Sequence, residues 1–75
     1  MDTIGERLRK TRERRVLTQA ELAERSAVLE VTISRIENGH SQPTPKTIRK
    51  LAEALGVDAT WLRFGEGHQE EKLAA

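Results

Sequence analysis

Seventy-five residues set the scale of one small domain that withdraws only about 60% of its unfolded surface from water, and 36% hydrophobic against 33% charged residues suits a modest core rather than a large enclosed active site. Cysteine is absent, which excludes disulfides, thiolate metal sites and a cysteine nucleophile, while no apolar run nears the ~18 residues of a bilayer span and Met1-Asp2-Thr3 lacks a signal-peptide start; the expectation is a cytoplasmic protein without membrane association. The net charge of +1 hides an uneven distribution, with six basic residues and one acidic between Arg7 and Arg15, and three Glu and one Lys in residues 66–75. Such asymmetry hints weakly at nucleic acid, but Arg7, Arg9, Lys10, Arg14 and Arg15 could equally solvate one face of a helix.

Thr3-Ile4-Gly5-Glu6 has the Thr-x-x-Glu form of a capping box, in which hydroxyl and carboxylate reciprocally satisfy free backbone N–H groups, and it predicts a first helix over about 4–15. Thr18-Gln19-Ala20-Glu21 repeats the box, so the chain turns at Val16-Leu17 and a second helix runs to about Ser26. A third helix over about 30–38 places Leu29, Ile33, Ile36 and Glu37 on one side, and Asn38-Gly39 provides a left-handed stop. His40 to Pro43 reads as a polar loop. Thr44-Pro45 caps and opens a fourth helix whose Ile48, Leu51, Ala52 and Leu55 share one face and which Gly56 ends. Asp58 caps a short fifth helix holding Trp61 and Leu62, after which the polar residues 66–75 are expected to fray. With no period-two alternation, the fold class is all-α, with a domain over 1–65 and a flexible tail over 66–75.

Catalytic signals are thin. His40 and His68 lack companions at metal-ligand spacing, Gly65-Glu66-Gly67 lacks the third glycine of a phosphate loop, and Ser41 beside His40 is a polar loop pair. No enzyme, metal or cofactor is expected.

The second and third helices, joined by three or four residues, must cross steeply. On the third, Val31, Ser34, Arg35 and Asn38 share an outer arc of about 100°. An Arg fork matches guanine O6 and N7, Val suits a thymine methyl and Ser can bond several base edges, so this arc has the chemistry of major-groove reading; a solvated helix face is the plain alternative.

Thr18-Gln19-Ala20-Glu21-Leu22-Ala23-Glu24-Arg25, followed by Thr32-Ile33-Ser34-Arg35-Ile36-Glu37-Asn38-Gly39, resembles the helix-turn-helix of the phage-repressor and Cro family, also called the xenobiotic-response-element family. Pro43, Leu51 to Val57 and Trp61-Leu62 continue the likeness, which covers about residues 4–64. The resemblance implies a compact five-helix bundle whose second motif helix lies in the major groove of double-stranded DNA. It adds Gln19 and Asn38 to His40, Ser41 and Lys46 as phosphate-side residues, with Glu30 and Thr32 flanking the base-reading Val31, Ser34 and Arg35. Glu37 points inward on the helical wheel and Arg12 lies one turn after Leu8, so an ion pair would explain both, in place of two separate surface charges; the family carries an Arg–Glu pair there.

Three departures stand out. The family usually has glycine at Val16 and Ala27, where φ is positive and a β-branched Val16 is strained. Leu29 replaces the usual Ser or Thr cap, and His40-Ser41-Gln42 lacks the family's common Lys or Arg, which weakens phosphate anchoring. The resulting expectation is a repressor or restriction-modification-type controller acting as a homodimer on a palindromic operator. The alternative is an antitoxin-type module whose main partner is a toxin. Trp61 and Phe64, the two aromatic residues, cannot both point inward with Leu62 from so short a helix, so one or both should anchor the dimer, unless Trp61 is only a core lid.

Overall fold

The computed structural model describes residues 2–65, so the expected tail over 66–75 and His68 lie outside the described residues. Five helices follow in order: α1 (Ile4–Arg14), α2 (Gln19–Ser26), α3 (Glu30–Glu37), α4 (Pro45–Leu55) and α5 (Ala59–Phe64), with no strand among the described residues. Each start has the chemistry read from the sequence. The Thr3 and Thr18 hydroxyls accept from Glu6 and Glu21 N–H at 3.1 and 3.0 Å while each carboxylate returns the bond to the threonine N–H. Thr44 caps α4 ahead of Pro45, and Asp58 accepts from the Trp61 N–H at 2.9 Å to cap α5. Helices α1 and α3 each end one residue sooner than expected, because Arg15 and Asn38 have left helical geometry as caps.

The stops share one geometry. A left-handed residue follows every helix: Val16 (φ 57°), Ala27 (φ 61°), Gly39, Gly56 and Gly65. The chain then folds back to satisfy carbonyls that the last turn leaves open, as where Leu17 N–H reaches Arg12 O at 3.1 Å and His40 N–H reaches Arg35 O at 2.8 Å. Three stops use glycine. The other two are Ala27 and Val16, whose β-branched side chain is strained there, and the backbone is left-handed at both regardless.

Packing closes around one core of Leu8, Leu17, Leu22, Val28, Ile33, Ile36, Ile48, Leu51, Ala52, Leu55, Val57 and Leu62. Helix α3 packs on α1 and α2, α4 on α2, and α5 closes the end against α4 and α1. At Gly5 the first helix approaches the end of α3 so closely that a Cβ would press on the Ile36 carbonyl oxygen and stand 3.0 Å from that of Glu37. Glycine here buys proximity between helices. Leu29, which the wheel placed inward, is instead 71% exposed; as N-cap it has extended geometry (φ −60°, ψ 141°), so helical periodicity does not apply to it.

Candidate nucleic-acid interface

The eight residues of α3 make a rod about 12 Å long, close to the width of a major groove. Ile33, Ile36 and Glu37 face the interior, leaving Val31 and Arg35 exposed and Ser34 half-buried on the other side. The two flanking candidates differ, Glu30 being exposed and Thr32 half-buried. No side chain caps α3, so its first N–H groups face outward with the fixed partial positive charge of a helix start.

What orients this helix is a buried carboxylate. Glu37, its side chain only 2% exposed, accepts Arg12 Nε at 2.7 Å and Arg12 Nη2 at 3.0 Å, and Gln19 Nε2 adds a third bond at 2.9 Å. Arg12 Nη1 then donates to Leu17 O at 2.7 Å. One network therefore ties α1, the turn before α2, α2 itself and α3. The Arg12 guanidinium is held above the usual arginine range, chiefly by its hydrogen bond to Glu37 and against the opposing effect of burial, so it stays charged. The expected Arg12–Glu37 pair is thus present, and two separate surface charges are excluded.

Of the residues expected on the phosphate side, Gln19 is half-buried with its amide turned to Glu37, a contact the sequence did not reveal because its partner lies 18 positions away. Asn38 Nδ2 lies 3.4 Å from Ser34 Oγ, which joins a phosphate candidate to a base-reading candidate on one face. His40 is exposed and Ser41 half-buried in the connection to α4. Lys46 is exposed on α4 and lines a cleft with Arg49 and Lys50, edged by Glu53 and Asp58. No group of three His, Asp or Glu side chains among the described residues could hold a metal ion, and none of the described helices is long and apolar enough to cross a membrane.

Two of the basic residues read as a solvated face do something else. Arg7 is 7% exposed, and Arg15 Nε reaches Leu55 O at 2.9 Å, whereas Arg9, Lys10 and Arg14 are exposed as expected. Helix α5 buries Leu62 completely and packs Trp61 partly against the core, which leaves Phe64, 62% exposed, as the outward aromatic. Beside Phe64 lies a shallow groove of about 220 Å³ lined by Pro45, Ile48, Ala59 and Thr60.

Comparison with known proteins places this geometry. The Helix-turn-helix family profile matches residues 8–62. The chain is 49% identical over 72 residues to the HTH-type transcriptional repressor RghR of Bacillus subtilis (strain 168), covering 95% of this chain and 53% of that protein. Its fold superposes with a TM-score of 0.82 on the P22 c2 repressor protein in complex with a synthetic operator, at 29% identity, covering 88% of this chain and 100% of that one. A TM-score of 0.76 relates it to the restriction-modification controller protein C.AhdI of Aeromonas hydrophila, at 32% identity, covering 79% and 89% of the two chains. Repressors and a controller, not enzymes, are what it resembles. The chain spans about half the length of the curated relatives it matches. From the packed α2–α3 pair, the buried Arg12–Glu37 network that holds it and the profile match across residues 8–62, it follows that this chain belongs to the helix-turn-helix family.

Proposed function

We propose that residues 1–65 are the DNA-binding unit of a transcriptional repressor or controller that acts as a homodimer on a palindromic operator in the cytoplasm. The carrying observation is that α3 turns Val31, Ser34 and Arg35 outward while Glu37, on its opposite side, is locked to Arg12 and Gln19. A reading helix must be presented at a fixed angle, and the network supplies that rigidity. Arg35 offers a bidentate fork to guanine, Val31 an apolar contact to thymine, and Ser34 a hydroxyl to either; Glu30 can accept from cytosine N4, and Thr32 flanks. Gln19, Asn38, His40, Ser41 and Lys46 set the register on the phosphates. The likeness to a repressor bound to an operator supports this reading.

Pairing of two copies through α5, with Phe64 and part of Trp61 in the contact, would set two copies of α3 one DNA turn apart, about 34–36 Å. Selection of bound sequences from random duplex DNA tests both parts. A two-fold symmetric consensus whose half-site centres lie 10 to 10.5 base pairs apart is expected. Enrichment of no sequence would remove base reading, and an asymmetric single half-site would remove the dimer.

A further inference from the structure

Helix α5 has six residues, too few to hold a helical form on its own. Its last turn is gripped from α1. Arg7 Nε donates to Leu62 O at 3.0 Å and Arg7 Nη2 to Arg63 O at 2.6 Å, so the planar guanidinium spans two successive carbonyls at the C-terminal end of the helix. Its remaining nitrogen, Nη1, donates to Asp2 O at 3.1 Å and to Asp2 Oδ2 at 3.0 Å. The arginine itself is buried: Arg7 is 7% exposed, and a Cβ on Gly65 would stand 3.0 Å from Arg7 Nη1. A cation at a helix C-terminus opposes the negative end of the dipole, and a fork satisfies two open carbonyls that a point charge cannot span in the same geometry.

Phe64 follows these two carbonyls directly, and the Arg63 guanidinium carbon sits 5.4 Å from the centre of its ring. Whatever fixes Leu62 and Arg63 therefore fixes the outward aromatic and its angle to the groove of Pro45, Ile48 and Ala59. We infer that Arg7 is a positioning residue for assembly: from inside α1 it sets the end of α5 in the one orientation in which two copies pair, and Asp2 holds the guanidinium in place. This rests on the α5 pairing proposed above. It predicts that the Arg7 fork controls dimer affinity without touching the DNA-reading helix, because the guanidinium bonds run to Asp2 and to the end of α5.

The test compares the wild-type chain with Arg7→Lys, which keeps the charge and removes the fork, and Asp2→Ala, a milder change at an exposed position. Sedimentation equilibrium gives the dimer dissociation constant. Titration of a duplex carrying one half-site gives the affinity of a single reading helix. The expected result is a dimer at least tenfold weaker for Arg7→Lys and a few-fold weaker for Asp2→Ala, with half-site affinity within twofold of wild type in both. A loss of half-site affinity equal to the loss of pairing would make Arg7 a general stability residue and overturn the inference. So would a folded Arg7→Lys that pairs like the wild type; if that variant does not fold, wild-type pairing by Asp2→Ala decides against it in the same way. A wild type that stays monomeric on a two-half-site duplex as well as free would overturn the pairing itself, which separates that failure from a paired wild type indifferent to Arg7.

Discussion

Arg12 and Glu37 show what a single residue contributes here. The carboxylate is almost wholly buried and accepts three bonds, so removing its cation leaves a charge that water cannot reach. Arg12→Met should cost about 3–5 kcal/mol, the loss typical of a buried pair broken on one side. Urea unfolding checks this, and a loss under about 1 kcal/mol would mean the pair is solvated. Val16 runs the other way. A β-branched side chain at φ 57° is held in the left-handed region at a cost of ~1–2 kcal/mol, part of which glycine would return through its own unfolded-state entropy. Val16→Gly should therefore raise stability by about 1 kcal/mol, read as a higher urea midpoint at unchanged slope; a decrease would show that the exposed valine is not strained. The pair and the strained position were both legible in the sequence, from a wheel and from a family pattern. Arg7 was not. Two of its acceptors are carbonyls 55 and 56 positions away, and backbone acceptors so far along the chain leave no mark on sequence spacing, so it read as one more solvating charge.

At the scale of elements, local chemistry carried most of the information. Both capping boxes, the Thr44-Pro45 start and the Asp58 cap stand within a few residues of the N–H groups they satisfy, and such short-range bonds are written into sequence spacing. Leu29 failed as an inward residue for the same reason in reverse, since the wheel assumed a helix one residue before it begins. The α2 cap also makes stability depend on pH. The Glu21 carboxylate is held below its ordinary range, first by the Thr18 backbone N–H and then by the Thr18 side chain, with burial opposing weakly. A carboxylate with a depressed folded pKa contributes stability that is fully present above its unfolded pKa and is lost as pH falls through the folded value. Glu21→Gln should thus flatten the acid-side fall in the urea midpoint while leaving the shape of the curve above neutrality unchanged. An acid limb as steep as the wild type's would assign the effect to other carboxylates.

Across the whole molecule, the bundle divides its tasks between opposite requirements. Helix α3 must be rigid in angle yet open in surface, and it achieves this by burying Glu37 against α1 and α2 while leaving Val31 and Arg35 in solvent. Helix α5 seals the core by burying Leu62 fully while Phe64 stays 62% exposed, the side chain that the proposed pairing uses. The order of five helices and their inward faces was legible because each apolar stripe repeats at helical spacing. The orientation of α3 was less so, because it depends on non-local bonds such as Gln19 to Glu37 and on the close approach at Gly5. Base reading by the outer face of α3 is put to the test by Arg35→Ala. Affinity measured by anisotropy at one salt concentration, for the selected operator and for unrelated duplex, should fall about ten- to a hundredfold on the operator and change little on unrelated DNA, since a bidentate contact to guanine carries ~1–3 kcal/mol of discrimination. Equal losses on both duplexes, with selectivity unchanged, would make Arg35 a phosphate contact and contradict base reading by this face.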